Sequence, residues 1–354
     1  MGKLRVGIIG SGGISNAHTK GYLQLKDRVE LVACCDIDEE KAKRYAEHYG
    51  IPTYYTDYNE MLAKENLDCV SVSTWNSAHK GATIAALNAG VNVLCEKPMA
   101  MNAEEALEMQ AAAEKNGKLL QVGFVRRFGD DTYTIQRFTE EGKIGDIYYA
   151  KAQYLRRNGC PGGWFGDKSY SGGGPLIDLG VHVIDLTRYL AGSPKPVSAF
   201  AVTYDNLGCN RASGAQMQWE MSSSKEGYEY SVEDFASALI KFEGGFTLQI
   251  EASFNLNIEN DIGQVELFGT KAGVKIANDL QLFTDEAGMF VNVKPQGRTM
   301  FDFDGAFNGE IRGFIDAVEG KAPCRATAED GVILMKILDA VYESARTGKL
   351  VEIK

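Results

Sequence analysis

The first third of the chain alternates short apolar runs with segments in which apolar residues recur at helical spacing. The apolar runs predict strands at Leu4–Gly10, Val29–Asp36, Asp68–Thr74, Val91–Glu96 and Leu119–Phe124. The segments between them predict helices at Ser15–Leu25, Glu39–Tyr49, Lys80–Ala89 and Ala103–Asn116. Strands and helices that alternate in this way are typical of βαβ units, whose strands form a parallel sheet. We therefore expect a doubly wound parallel sheet at the start of the chain.

The pattern changes after Phe124, where longer runs of alternating apolar and polar residues take over. They predict strands at Ile147–Arg156, Val197–Tyr204, Asp234–Phe242, Phe246–Phe254, Gln264–Gly269, Gly273–Ala277 and Met289–Lys294. Glycine-rich turns predict hairpins at 243–245 and 269–273. Helices are predicted at Asp131–Glu141, Leu176–Ala191, Phe307–Glu319 and Ala328–Arg346. We therefore predict an α/β domain at residues 1–123 and an α+β domain with a large open mixed sheet at residues 124–354.

Composition and charge narrow the classes of protein that fit this pattern. The 354 residues suit two domains, and the net charge of -11 disfavours nucleic acid and anionic membranes as partners, so we predict neither. No apolar run reaches the ~18 residues of a membrane span, and Leu4–Ile9 is too short for the core of a signal peptide. We expect a cytoplasmic protein. The polar stretch Gly208–Val232 is interpreted as a long exposed connection or a lid.

The cysteines indicate reduced thiols. The seven are Cys34, Cys35, Cys69, Cys95, Cys160, Cys209 and Cys324. Their number is odd, no C-x-x-C motif occurs, and most lie in apolar runs that resemble strands. We therefore expect buried thiols rather than disulfides or a zinc site. Cys160 lies in a glycine-rich loop and is the candidate for a reactive thiol.

The turn after the first strand carries the first chemical signal. Gly10-Ser11-Gly12-Gly13-Ile14-Ser15 is similar to the dinucleotide fingerprint G-x-G-x-x-G/A. Gly10 permits a tight turn, Gly12 lets the backbone approach a pyrophosphate, and the small Ser15 lets the helix pack on the strand. The N-terminus of that helix offers N–H groups to phosphate. The alternative is a glycine-rich turn that binds no ligand.

The second strand ends in an acidic residue, Asp36, at the spacing where a carboxylate accepts the ribose hydroxyls of a dinucleotide. A carboxylate there repels a 2′-phosphate, so NAD is favoured over NADP. Lys41 and Arg44, further along, can weaken that preference. The alternative role for Asp36 is the N-cap of the following helix.

A lysine follows the strand Val91–Cys95, in the motif Glu96-Lys97-Pro98. Ligands of open α/β sheets bind at the carboxyl ends of the strands, so Lys97 lies where a substrate hydroxyl can be polarised. The alternative is a solvated surface lysine.

A second glycine-rich motif opens the predicted helix near residue 176. It reads Gly172-Gly173-Gly174-Pro175-Leu176-Ile177-Asp178-Leu179-Gly180-Val181-His182-Val183-Ile184-Asp185. Asp178, His182 and Asp185 are spaced i, i+4 and i+7, which places them on one helical face. Oxidation of a secondary alcohol needs a base, and histidine titrates in the right range. The alternatives are a buried helix whose polar residues satisfy each other, or a metal site.

The other three of the four histidines are weaker candidates. His48 follows Glu47 on a helix and is interpreted as a surface residue. His18 lies in the helix after the glycine loop and is interpreted as a packing or helix-surface residue. His79 follows a strand end beside the expected cofactor, so it is a candidate for cofactor contact rather than for the general base.

Together these residues resemble the Gfo/Idh/MocA family of oxidoreductases over essentially the whole chain. The resemblance rests on Gly10–Ser15, Asp36, Thr74–His79, Glu96–Pro98, Gly123–Phe128, Gly172–Asp185 and Glu343–Lys349. Two positions depart from the family pattern. Trp75 replaces the proline of the usual T-P-N turn, where its ring stacks near the nicotinamide or only packs, and Ser15 stands where glycine or alanine is usual.

The resemblance implies a Rossmann domain that binds NAD, joined to a domain whose open sheet builds homodimers or homotetramers. It implies catalytic roles for Lys97, Asp178 and His182, and it implies no metal. Cofactor contacts are expected at Gly10, Gly12, Gly13, Ile14, Asp36, Ile37, Thr74, Trp75, Asn76, His79, Glu96 and Lys97. Substrate contacts are expected at Lys97, Arg126, Arg156, Trp164, Asp178 and His182.

The loop at 154–165 is similar to a sugar-oxidising branch of the family. Its Trp164 is expected to stack on a pyranose, and Arg156 or Arg157 to bind hydroxyls, unless the loop is purely structural. The hypothesis for the whole chain is reversible hydride transfer between a sugar or polyol and NAD. His182 takes the hydroxyl proton, Lys97 polarises the oxygen, and Asp178 positions substrate and imidazole. The alternatives are a glycoside-cleaving enzyme that oxidises its substrate transiently, and a sensor that binds nucleotide and sugar without turnover.

Overall fold

The computed structural model describes residues 2–208 and 227–354. Contacts divide the chain into two compact units, one of residues 1–128 and 303–332, the other of residues 129–302 and 333–354. The domain boundary predicted after residue 123 stays a prediction. The first compact unit runs to residue 128 and also includes residues 303–332. Cys209 and most of the predicted connection Gly208–Val232 lie outside the described residues.

The first unit contains the predicted parallel sheet. Its elements are β1 (Leu4–Ile9), α1 (Ser15–Leu23), β2 (Val29–Cys35), α2 (Glu39–Tyr49), β3 (Thr53–Tyr55), α3 (Tyr58–Lys64), β4 (Cys69–Val72), α4 (Asn76–Asn88), β5 (Asn92–Glu96), α5 (Ala103–Asn116) and β6 (Leu120–Gly123). The six strands lie in the order β3-β2-β1-β4-β5-β6, and every pair is parallel. The order of the strands reverses between β1 and β4, because β2 and β3 lie on one side of β1 and β4 to β6 on the other. Open α/β sheets bind ligands at such a switch point. β3 and α3 were not predicted from the sequence, because both are short and neither carries a run of buried apolar residues.

The second unit contains the large mixed sheet. Its elements are α6 (Asp130–Glu140), β7 (Ile147–Leu155), α7 (Lys168–Ser171), α8 (Val181–Leu190), β8 (Pro196–Tyr204), β9 (Phe235–Phe242), β10 (Thr247–Ser253), β11 (Ile262–Gly269), β12 (Gly273–Ile276), β13 (Leu280–Glu286) and β14 (Met289–Val293). With the C-terminal strand β15 (Val351–Glu352), they form a nine-stranded sheet in the order β14-β13-β12-β11-β7-β10-β9-β8-β15. Only β7 and β10 pair in parallel among these described strands.

Alternation along these strands separates the two faces of the sheet. One face buries small and branched residues, namely Ala150, Ala152, Ala238, Ile240, Leu248 and Ile250. Helix α8 packs on this face against β7 and β10. Both predicted hairpins are present, and at the first of them Gly244 and Gly245 have φ of 74° and 88°. The sequence analysis missed β13, whose hairpin to β14 turns at Ala287 and Gly288 with positive φ.

After residue 302 the chain returns to the first unit before it ends in the second. Helix α9 (Phe303–Val318) covers the core of the first unit with Ile311, Phe314 and Ile315, and α10 (Ala328–Thr347) follows. A Cβ on Gly21 would lie 2.7 Å from Cγ1 of Ile311, so glycine permits the close contact between α1 and α9. Among the described residues, no helix combines the length and the apolarity that crossing a membrane requires.

Candidate active site

The glycine loop after β1 has the shape of a phosphate cradle. Gly10 has φ of 93°, and a Cβ there would lie 2.6 Å from the carbonyl oxygen of Ser73, so only glycine fits. A Cβ on Gly13 would meet nothing within 4 Å, which leaves that side of the loop open. Ser15 donates its hydroxyl to the Gly12 carbonyl at 2.6 Å and fixes the loop against the start of α1. The first turn of α1 has no acidic residue to compete with a phosphate for its N–H groups.

Asp36 is fixed at the end of β2 by three contacts. Its Oδ2 accepts the Ser11 N–H at 2.8 Å and lies 3.0 Å from Nζ of Lys41, while its Oδ1 accepts the Asp38 N–H at 3.1 Å. The N-cap of α2 is Asp38, which accepts the Lys41 N–H, so the alternative role of Asp36 as that cap is wrong. The neighbouring Ile37 is 73% exposed, an apolar surface beside the carboxylate. A carboxylate fixed beside the glycine loop is suited to accept ribose hydroxyls, and the contacts of Asp36 and Ile37 with NAD stay predictions.

Exchange of Asp36 for serine is expected to move cofactor preference from NAD⁺ towards NADP⁺. The variant loses the ribose acceptor and its repulsion of a 2′-phosphate, and Lys41 loses its anionic partner. We expect the ratio of kcat/KM for the two cofactors to change by about 10- to 100-fold, since hydrogen bonds to charged groups contribute roughly 1.5–3 kcal/mol. Steady-state kinetics with both cofactors measure the ratio. Asp38→Ser is the control, because Asp38 caps a helix; an equal change in both variants would contradict the role of Asp36.

The turn after β5 presents Lys97. Glu96 is buried, its Oε2 accepts the backbone N–H of Lys97 at 3.0 Å, and its Oε1 lies 2.8 Å from Nε2 of His18. The Lys97–Pro98 peptide is cis. The Glu96 carboxylate therefore fixes the backbone of Lys97. The half-buried Lys97 follows β5 at the carboxyl edge of the sheet, the same edge that carries the glycine loop.

His79 joins α4 to a loop at this edge. Its Nδ1 lies 2.8 Å from the carbonyl oxygen of Pro98, and its Nε2 lies 3.2 Å from that of Thr74. The ring is buried, and burial lowers its pKa, so it is a neutral imidazole at neutral pH. A neutral imidazole has one N–H, and the shorter distance assigns it to Nδ1. His79, on α4, therefore donates to Pro98 and ties α4 to the turn that carries Lys97, while its Nε2 only lies near Thr74. Trp75 and Asn76 begin α4 in the same region, with Trp75 half-buried and Asn76 buried.

In the second unit, the motif 172–185 folds into a single turn of π-helix, Leu176–Gly180, that continues into α8. Asp178 is 9% exposed in the π-turn, and the half-buried His182 lies in the first turn of α8. π-turns occur often at functional sites, because the extra residue changes the direction of the side chains that follow. Gly180 lies where this helix meets β10, since a Cβ there would be in ordinary van der Waals contact with Cδ1 of Ile250 at 3.5 Å.

A buried carboxylate holds the start of this helix. Glu233 accepts the N–H of Gly174 at 2.9 Å, the N–H of Leu176 at 3.2 Å and the hydroxyl of Tyr342 at 2.9 Å. A Cβ on Gly174 would overlap the backbone of Glu233, and one on Gly173 would overlap the hydroxyl of Tyr342. Two of the glycines are thus required by close approach. Burial raises the pKa of Glu233.

The remaining predicted substrate residues lie in both units. Arg156 donates from Nη1 to the Gly159 carbonyl at 2.8 Å and lies over the ring of Tyr154, which shapes the loop after β7. Trp164 stacks on Phe165 with ring centroids 4.0 Å apart. Arg126 is half-buried in the short helical turn Val125–Phe128 of the first unit. Their roles towards a substrate stay predictions.

The cysteines behave as expected where they are described. Of the six described cysteines, five are buried, Cys160 included, and Cys324 is half-buried. Burial raises the pKa of Cys34, Cys35 and Cys95 to about 12. These thiols therefore do not supply a thiolate nucleophile at neutral pH.

Three titratable residues that support the motifs were missed by sequence reasoning. His18, interpreted above as a packing or surface residue, is fully buried and bonded to Glu96, and Glu310 of α9 lies beside both. We call His18, Glu96 and Glu310 the buried triad; one ligand-type atom from each lies within 4.8 Å of the others. The third, Glu233, was not singled out. A signal existed for Glu310, because it interrupts the apolar face formed by Ala306, Phe307, Ile311 and Phe314.

A parallel sheet with a glycine loop at β1, an acidic residue at the end of β2 and a lysine after β5 defines a dinucleotide-binding oxidoreductase. Residues 4–124 match the oxidoreductase family with an NAD-binding Rossmann fold, and residues 138–353 match the C-terminal alpha/beta domain of that family. The chain belongs to the Gfo/Idh/MocA oxidoreductase family. The predicted family, the fold class and NAD as cofactor are confirmed.

Known relatives extend over the whole chain. The D-glucoside 3-dehydrogenase of Escherichia coli (strain K12) is 38% identical over 99% of this chain and 97% of its own length. The 1,5-anhydro-D-fructose reductase of Ensifer adhaerens is 28% identical over 99% and 98%. A solved structure of levoglucosan dehydrogenase in complex with NADH has a TM-score of 0.86 and 25% identity, with both chains covered completely.

Proposed function

We propose that the protein is an NAD-dependent dehydrogenase that oxidises a secondary hydroxyl of a glucose-type pyranoside, with the 3-hydroxyl of a D-glucoside as the first candidate. The observation that carries the proposal is the turn at Glu96-Lys97-Pro98, where a buried carboxylate fixes a lysine at the ligand-binding edge of the NAD domain. The substrate class is supported by the D-glucoside 3-dehydrogenase and levoglucosan dehydrogenase among the relatives.

Each catalytic residue has a chemical task in this proposal. Oxidation turns a secondary alcohol into a ketone, with the carbon-bound hydrogen leaving as hydride and the hydroxyl hydrogen as a proton. NAD⁺ supplies the hydride acceptor when bound. The Lys97 ammonium donates a hydrogen bond to the substrate oxygen and stabilises the negative charge that develops there. The His182 imidazole takes the proton, and Asp178, one turn earlier on the same helix, positions the substrate and the imidazole.

The test is NADH formation by purified protein with a panel of methyl glucosides, anhydrosugars, aldoses and inositols. We expect turnover of glucosides with NAD⁺, and a 3-ketoglucoside as the product identified by NMR. Release of aglycone without net NADH would replace the proposal with the glycoside-cleaving alternative. Binding of NAD⁺ without turnover of any sugar in the panel would replace it with the sensor.

We also propose that the outer face of the nine-stranded sheet joins copies of this chain into a homodimer or homotetramer. Phe200 and Leu239 are register partners on β8 and β9 and are 47% and 44% exposed on this face. The middle of the face is polar but ordered: Gln264 donates to Gln153, and Gln153 donates to Glu251, both at 2.6 Å. An apolar patch beside a fixed polar row is typical of an interface between subunits. Cytoplasmic location stays a prediction.

Replacement of Leu239 by glutamate is expected to dissociate this assembly, because it places a charge in the apolar patch of each subunit. Light scattering coupled to size exclusion measures the mass. Leu107→Glu is the matched control, since Leu107 is 45% exposed on α5 of the other unit. A monomeric wild-type protein, or an assembly that survives Leu239→Glu, would contradict the proposed interface.

A further inference from the structure

The proposed mechanism gives no task to Glu310, a fully buried acid near the base of the turn that carries Lys97. Its exposure is 0%, and neither of its carboxyl oxygens has a hydrogen-bond partner among the described residues. Its neighbours in the buried triad are another carboxylate, Glu96, and the His18 ring. A buried carboxylate without a hydrogen-bond partner is strongly disfavoured. The protonation state of Glu310 therefore depends on the groups around it.

Glu96 carries the negative charge of the triad. Its two oxygens each face an N–H, from His18 Nε2 at 2.8 Å and from the Lys97 backbone at 3.0 Å. Burial alone would raise its pKa, but the hydrogen bond from His18, the charge of the His18 imidazole and the charge of Lys97 together outweigh burial and lower it. Glu96 is therefore ionised at neutral pH, and the ionised form is the one that accepts both donors.

Glu310 is in the opposite situation. Burial and the neighbouring charge of Glu96 both raise its pKa well above the usual range. The other titratable groups near the triad are Tyr22, whose pKa burial also raises, and the neutral His79 on the loop side. Lys97 acts on Glu96, which it joins through the backbone. His18, the third member of the triad, has its Nε2 on Glu96, and neither carboxyl oxygen of Glu310 has a hydrogen-bond partner among the described residues, so no group near the triad donates a hydrogen bond that would favour the ionised form of Glu310.

We infer that Glu310 is a positioning residue, held as a neutral carboxylic acid, whose polar group supports the ionised Glu96 that fixes the backbone of Lys97. A neutral polar side chain beside Glu96 stabilises its charge without competing for its two donors, whereas an apolar side chain would leave the charge with those two donors alone. The catalytic consequence rests on the proposed function, because it takes Lys97 as the residue that polarises the substrate. The protonation state itself does not depend on it.

The first arm of the test compares thermal unfolding of the wild-type protein and Glu310→Gln between about pH 5 and pH 8. The unfolded chain releases the Glu310 proton near the ordinary glutamate pKa of about 4.3, whereas the folded chain keeps it to a higher pH. Wild-type stability from this group is therefore lost as pH rises through that window. Glutamine does not titrate, so the Tm of Glu310→Gln minus that of the wild type is expected to increase with pH. A difference that does not change with pH would overturn the inference.

The second arm measures kcat against pH for Glu310→Gln and Glu310→Leu, with NAD⁺ affinity by calorimetry. Glu310→Gln is expected to keep kcat within about twofold of the wild type. Glu310→Leu is expected to lose activity at a higher pH on the acid side, since Glu96 protonates more readily in an apolar surrounding. Equal acid limbs in the leucine variant and the wild type would reduce Glu310 to a packing residue.

Metal analysis of the purified protein completes the test. Because the triad atoms lie at a separation that metal ligands also have, one equivalent of tightly bound metal that Glu310→Gln removes would overturn the protonated state. Absence of metal supports it. If no sugar is oxidised, the proposed function fails while the unfolding arm still decides the protonation of Glu310, so the two failures are distinguishable.

Discussion

Replacement of Lys97 by methionine is expected to lower kcat with the preferred glucoside by about 10²- to 10⁴-fold, with little change in NAD⁺ affinity. The substitution keeps an unbranched side chain of similar length but removes the ammonium that stabilises charge on the substrate oxygen. The backbone contact from Glu96 does not involve the side chain, so the turn should keep its form. His182→Asn is expected to give a loss of similar size, since it removes the base.

Steady-state kinetics and calorimetric titration with NAD⁺ separate catalysis from cofactor binding in these variants. His48→Asn is the control for the histidine, because His48 is exposed on α2. The loss in His182→Asn should be smallest at high pH, where the substrate hydroxyl loses its proton to solvent more easily. Wild-type turnover in Lys97→Met or His182→Asn would remove that residue from the catalytic assignment.

Replacement of Glu233 by alanine is expected to destabilise the protein by about 3 kcal/mol or more and to lower kcat more than it raises KM. The N–H groups of Gly174 and Leu176 and the Tyr342 hydroxyl lose their shared acceptor, and each unsatisfied buried group costs about 1–3 kcal/mol. The start of the helix that carries Asp178 and His182 then loses its fixed position. A displacement of the catalytic groups lowers kcat more than it weakens substrate binding, because the rate depends on the alignment of the reacting atoms.

Glu233→Gln is expected to lose much less. Its amide oxygen still accepts a backbone N–H, and its NH₂ group can donate to the Tyr342 oxygen. Urea unfolding and steady-state kinetics measure both effects, and Glu229→Ala is the control, since Glu229 is exposed four residues earlier. If Glu233→Ala unfolds and turns over like Glu229→Ala, the carboxylate does not position the helix.

The parts of the fold that could be predicted from sequence are those that local physics determines. Buried strands, helices and the glycine loop follow one another within a few residues, so periodicity and turn chemistry place them correctly. The π-turn at Leu176–Gly180 could not be predicted in this way, because one extra residue per turn hardly changes the spacing of apolar positions. The sequence leaves the role of Asp36 open between ribose acceptor and helix cap, and the structure excludes the cap because Asp38 caps α2.

The supporting residues of the candidate site were beyond sequence reasoning for a different reason. His18 and Glu96 are 78 residues apart, and Glu233 is 59 residues from Gly174. No local pattern pairs such residues; only the topology of the chain does. The motifs therefore identify Lys97, Asp178 and His182 as candidates for chemistry, whereas the groups that hold them in place become visible only in three dimensions.

The return of α9 to the first unit has a consequence for how the chain folds during synthesis. The core of the NAD-binding unit includes Ile311, Phe314 and Ile315, which the ribosome makes nearly two hundred residues after β6, by the numbering of the chain. The nascent Rossmann sheet therefore lacks the cover of α9 over Tyr22 and its apolar neighbours while strands β7 to β14 of the second sheet are being translated. The core of the cofactor unit is completed late in synthesis rather than early, and its apolar surface is open to other contacts in that interval.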